Sequence, residues 1–260
     1  MTVENRGGRA SGAGGGTEMT KGRERPLAVG LRAARANLVP ALVIQAAVVA
    51  VVLAYYLWGP ARAWLAHAAE LKRGGGYLFS FAAGALAGGL LPEALTVAAF
   101  QRWRVRRENL SGLLFGACFW GLMGMMVDAL YRAQAVAFGP GVDFATVIKK
   151  TLVDQFLFTP FVSIPLTVVV FEWRQQGYRP GGVARALGGG FYRRKVLPAV
   201  LSGVGFWLPV VVFVYSLPPL LQFPLFTLAL TLWVMIITWI SRAHRDAPRR
   251  RGTVSKPERL

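Results

Sequence analysis

The chain has 260 residues, 54% of them hydrophobic, and a mean hydropathy of +0.44; only 16% are charged, against roughly 25% in an ordinary soluble domain. Thirty Lys and Arg oppose twelve Asp and Glu, a net charge of +18 that suits nucleic acid or an anionic membrane surface; the apolar runs flanked by this charge decide for the membrane. The single cysteine, Cys118, excludes a disulfide framework and a metal-thiolate set, and His67 and His244 lack ligand-spaced partners, so neither metal nor cofactor is expected.

Residues 1–36 are Gly- and Arg-rich (RGGRASGAGGG, then TKGRERP) and lack apolar periodicity, which reads as a disordered basic tail. The stretch has no apolar region of a cleaved signal peptide. Gly14-Gly15-Gly16 follows no strand, which argues against a dinucleotide loop. Met19, opening MTKGRERP, is an alternative start.

A transmembrane helical bundle is expected over 37–241. Its first span is Leu38 to Trp58, 21 residues, or roughly 31 Å of helix, enough to cross a bilayer core. Tyr55, Tyr56 and Trp58 gather at one end as an interfacial belt would. Arg62 to Gly76 is expected to be a short polar loop with an amphipathic turn at Trp64 and Leu65.

Span two, Tyr77 to Phe100, carries Gly84-xxx-Gly88, and span three, about 110–137, repeats the device with Gly112-xxx-Gly116. Small residues four apart let helix backbones approach closely, so these two helices are expected to pack together. Between them lies the basic QRWRVRREN, Gln101 to Asn109. Span four, about 151–171, follows Asp143 as a candidate N-cap and should kink at Pro160 and Pro165. A basic loop, Glu172 to Lys195, lacks the spacing of a phosphate-cradling loop. Spans five and six, 196–215 and 220–240, are joined by the tight SLPP turn, and 242–260 is a basic tail.

Charge counting gives the sidedness. With the N-terminus inside, inner segments hold 24 Lys and Arg and outer segments 6, which favours both termini in the cytoplasm. The same split accounts for the basic pI without nucleic acid as a partner. The expected partner is the bilayer, its anionic inner leaflet meeting the basic loops; a homo-oligomer is an open alternative.

Ionisable groups inside spans cost several kcal/mol at the bilayer centre, so each is a functional candidate. The candidate cluster is Asp128, Arg132, Asp154, Gln155 and Glu93, with Gln45 as a polar neighbour. Asp128 and Arg132 are four apart and can pair directly, and Arg132 is expected to bridge Asp128 to Asp154. Such a bridge reads as a structural clamp, or as the wall of a water-filled vestibule. Glu93 lacks a partner within the spans, although Arg102 or Arg104 could reach it. Trp120, Trp207, Trp233 and Trp239 read as packing and interface anchors, and Cys118 as a small core residue. No nucleophile with a positioned base occurs, so an enzyme is not expected.

Lys149-Lys150 with Asp154-Gln155 and Pro160 resembles the KK-x3-DQ-x4-P element of the Mpv-seventeen and peroxisomal-membrane-protein-twenty-two family, and two further places share the likeness. Trp207, Pro218-Pro219, Trp233 and the closing TWISRAH are similar to its last two helices, and the Gly-rich spans two and three to its first pair. The likeness covers roughly residues 80 to 245. The family's Trp-Tyr in its second helix falls near Val127-Asp128, and its polar residues in the penultimate helix fall on apolar positions between Val210 and Tyr215.

The resemblance implies a channel-like role or one in membrane and small-solute homeostasis; the alternative is a non-conducting scaffold or partner-binding subunit. Ala, Gly and Arg usage suggests a GC-rich bacterial source and hence a bacterial cytoplasmic membrane, with the mitochondrial inner membrane or peroxisome as alternatives. The expected fold is all-α, a polytopic bundle of about six spans.

Overall fold

The structure, a computed structural model, describes residues 38–179, 181, 187–188 and 190–246; the expectations for the tail 1–36, for much of the basic loop and for the end of the chain lie outside the described residues. Among the described residues the chain is helical, with no strand. Helix α1 is Leu38–Leu57, α2 Gly59–Phe100, α3 Arg107–Phe138, α4 Phe144–Gln175, α5 Tyr192–Tyr215 and α6 Pro219–Asp246.

Among the described residues three helices, α2, α3 and α4, are long and apolar enough to cross a membrane. A fourth is added if α5, bent by 46° between Leu201 and Gly203, is taken as one broken span. Helix α1, at 20 residues, and α6, at 28, are apolar over Leu42–Leu57 and Pro219–Met235 among the residues whose side chains are described.

The expected polar loop at Arg62 to Gly76 is instead helical. Pro60 stands at the start of α2, where a missing N–H costs nothing. Leu65, Ala69 and Lys72, at helical spacing, turn one face of this arm inward. The arm meets the rest of α2 at Gly76, whose φ of 51° and ψ of −130° break the helix there. A positive φ of this kind is open to glycine at little cost.

Farther on, α2 loosens into π-helical turns at Leu86–Leu90 and Thr96–Phe100, and α4 does so over Asp154–Ser163. In α4 the cause is Pro160, which has no N–H to continue the ladder. Its own carbonyl accepts a hydrogen bond from Tyr192 Oη of α5 at 3.2 Å.

The closest helix pair is α2 with α3. A Cβ at Gly84 would overlap the Trp120 carbonyl, and one at Gly116 would meet the backbone of Gly88 and Gly89. Helices α1, α5 and α6 supply most of the main apolar core, where Ile44, Val48, Val210, Val214, Leu225 and Ala229 are fully buried. Helix α4 lies chiefly against α5 and approaches α3 closely near its start, over Phe144–Val153. Beyond that point large side chains bridge the gap: Phe171 of α4 meets Phe115 and Phe119 of α3, each at 5.3 Å between ring centroids. The divergence leaves one cavity inside the bundle and a groove outside it.

Candidate intramembrane polar site

Asp128 of α3 is buried and receives three donors. Lys72 Nζ lies 2.6 Å from Oδ2, Ser80 Oγ donates to Oδ2 at 2.8 Å, and Arg132 Nε approaches Oδ1 at 3.3 Å. Ser80 comes this near because a Cβ at Gly124, one turn before Asp128, would collide with the Ser80 carbonyl. Lys72 also lies over the Phe223 ring at 5.2 Å. The strongest partner of Asp128 thus comes from the arm that sequence alone reads as a loop.

Arg132 does not bridge the two aspartates. Its side chain is half exposed, and its guanidinium stacks on Tyr77 of α2, 4.8 Å from the ring centroid. Asp154 has its own partners: Tyr215 Oη donates at 2.8 Å, Gln155 Nε2 at 3.0 Å and Thr159 Oγ1 at 3.4 Å. Glu93 stands apart near the Arg104 end of the bundle. It accepts from Asn109 Nδ2 at 2.9 Å and lies against Gly112, and neither Arg102 nor Arg104 bonds to it. Gln45 of α1 donates weakly to the Phe206 carbonyl at 3.4 Å.

Two chambers adjoin these groups. The inner one, about 240 Å³, lies among α3, α4, α5 and α6; Asp154, Gln155, Thr159, Ser163 and Thr167 supply its polar lining. The other, about 200 Å³ at the Lys72 end, is lined by Lys72, Asp128, Arg132 and Gln222. Tyr131 borders both. It is buried and packs edge-on against Tyr215, 5.3 Å between centroids. Near the same end the KK pair divides: Lys149 is exposed, while Lys150 is buried with no hydrogen-bond acceptor for Nζ among the described residues. Thr151 Oγ1 and Gln155 Oε1 are likewise buried without a partner among the described residues. Buried polar atoms in such a state are rare unless water or a ligand meets them.

Trp207 and Trp233 pack with Phe206 and also line the inner chamber, as does Trp120; the side chain of Trp239 lies outside those described. Cys118 is not a core residue. It is exposed on the outer face of α3, because the glycine stripe that meets α2 lies on the other side of the helix. Sequence reasoning missed Lys72, Tyr131 and Tyr215. The i, i+4, i+7 series Leu65, Ala69, Lys72 is the signal that marks Lys72 as inward-facing. Compared with models of known families, with curated proteins and with solved structures, the chain matches none.

Proposed function

We propose that the chain is a six-span membrane bundle with both termini cytoplasmic, forming a closed, channel-like pathway for an ion or small polar solute. The observation that carries this reading is Tyr131, whose side chain borders two chambers that are each lined by a buried carboxylate. The unpartnered Oε1 of Gln155, a residue that lines the inner chamber, adds to it, since water or a passing solute there would meet its hydrogen-bonding needs. The apolar lengths of α2, α3 and α4 support a membrane location, and the 24 to 6 division of basic residues supports the sidedness. Kinship with the Mpv-seventeen and peroxisomal-membrane-protein-twenty-two family is proposed on the KK-x3-DQ-x4-P element, with the Trp and Pro pattern of the last two helices and the Gly-rich α2 and α3 beside it, and a bacterial cytoplasmic membrane on residue usage.

A second reading, a non-conducting scaffold, draws on Glu93 and Asp128. Glu93, near the Arg104 end, lines neither chamber. Asp128 is also fully engaged by neighbours, as a clamp between α2 and α3 would be.

Planar-bilayer recording of the purified protein separates the two readings, with a folded Asp128→Asn, Asp154→Asn variant beside it. Discrete currents whose selectivity shifts in the variant support the pathway. Silent bilayers with verified insertion reject it and leave the scaffold.

A further inference from the structure

We propose that the outer groove between α3 and α4 is a binding site for one anionic phospholipid, its headgroup at Arg107 and Arg174. This rests on the membrane reading but not on conduction. The groove, about 640 Å³, has an almost wholly apolar wall in which Phe119, Leu122, Met126 and Val170 are prominent. Along α3 it extends from Phe115 to Ala129, roughly 21 Å at the helical rise, more than the roughly 15 Å of one leaflet's half of the hydrocarbon core. Phe119 and Met123 are buried at its floor, and Met123 also lines the inner chamber. An acyl chain lying there would contact protein on several sides, unlike a chain against a convex helix.

The groove is continuous with a shallower depression of about 530 Å³, since Phe115 and Cys118 line both. Arg107, Ser111 and Tyr178 border that depression, and Arg174 stacks on Phe115 at 4.3 Å. Neither Arg107 nor Arg174 has an ion-pair partner among the described residues. The carboxylate nearest to Arg174 on α4, Glu172, is held by Lys195. At the opposite end Arg132 stacks on Tyr77 and shares the Asp128 carboxylate with Lys72. Arg107 and Arg174, without ion-pair partners among the described residues, stand at the other mouth, and a negatively charged headgroup complements them. Trp173 and Tyr178, edge-on at 5.0 Å beside that mouth, suit the interfacial depth at which a headgroup lies. Basic clefts between membrane helices bind acidic headgroups by this combination.

The test uses the full chain purified from membranes, after extraction with alkaline carbonate has shown that it stays in the bilayer. The protein in micelles is equilibrated with equal amounts of phosphatidylglycerol and phosphatidylcholine carrying the same chains, then examined by native mass spectrometry. Wild type is expected to retain one phosphatidylglycerol with about a tenfold preference. R107Q/R174Q should lose the preference. Met126→Trp, which fills the groove, should lose retention of both lipids while its helical circular dichroism is unchanged. Equal retention of the two lipids by wild type, or no effect of Met126→Trp, would reduce the groove to ordinary annular contact. A lipid-free dimer broken by Met126→Trp would overturn the proposal and make the groove an interface between copies. Loss of the chain to the carbonate supernatant removes the membrane reading and the site with it, whereas silent bilayers leave the site standing.

Discussion

Lys72 Nζ and Asp128 Oδ2 meet at 2.6 Å, with side chains only 6% and 4% exposed, and join the amphipathic arm of α2 to the middle of α3. Removing one partner of a buried ion pair strands the other charge, which costs about 3 to 5 kcal/mol. Lys72→Met should therefore lower thermal stability in detergent strongly. The double variant Lys72→Met, Asp128→Leu should recover much of the loss, because no buried charge is left uncompensated and Arg132, half exposed, keeps its stacking on Tyr77. Melting curves of wild type, the two single variants and the double variant measure the coupling. Additive losses would mean that the pair contributes little as a pair.

The seam between α2 and α3 tolerates no side chain at its closest points. A Cβ at Gly84 meets the Trp120 carbonyl, which belongs to helix backbone and cannot swing aside. Gly84→Ala should cost about 1 to 3 kcal/mol as overpacking, and Gly84→Leu should prevent the two helices from seating. Gly205 has open space around its Cβ position, so Gly205→Ala is the control and should leave the melting temperature unchanged or slightly raised. Equal effects of the two alanine variants would show that the seam is softer than its geometry.

The all-helical class was legible because apolar runs of span length leave few alternatives for the backbone. The arm Gly59–Gly75 was not, because four charged residues and the run Gly74 to Gly76 look like a loop when read by composition. Only the spacing of Leu65, Ala69 and Lys72 shows the face that turns inward, and their buried partners lie on helices far along the chain. The partner of Asp128 is 56 residues away. Arg132, four residues from Asp128, was the visible candidate, and Asp128 accepts from both. The expected link from Arg132 to Asp154 failed for a related reason. Spacing along α3 fixes which residues share its face but says nothing about the rotation of α4, where the buried Tyr215 of α5 takes the second aspartate.

Asp143 precedes α4 as its N-cap, and Oδ1 accepts from the Thr146 backbone N–H at 3.0 Å. Hydrogen bonds from the Thr146 side chain and backbone favour the ionised form and hold this carboxyl below the usual aspartate range. The sign follows from linkage. A group whose value is depressed in the folded state adds stability above its unfolded value, and this is lost as the pH falls through the folded one. Asp143→Ala should therefore lower the melting temperature at neutral pH and leave it nearly unchanged in strong acid, where the carboxyl is already neutral. A deficit that persists undiminished in strong acid would show that the cap acts through the backbone and not through its charge.

Tyr131 offers the sharpest contrast between pathway and scaffold, because it borders both chambers while its ring packs on Tyr215 and Phe226. Truncating a buried aromatic residue to alanine costs about 3 to 5 kcal/mol in stability, so Tyr131→Ala is expected to weaken the fold under either reading. Only the pathway reading expects a gain as well. With the ring gone, the two chambers merge, and proteoliposomes should leak small ions faster than wild type at equal, verified insertion. Tyr131→Phe keeps the ring and the wall, so its flux should match wild type. If Tyr131→Ala inserts, remains helical and stays tight, the ring is packing between two dead-end cavities. If Tyr131→Phe leaks as much as Tyr131→Ala, the barrier lies in the hydroxyl and its surroundings and not in the bulk of the ring.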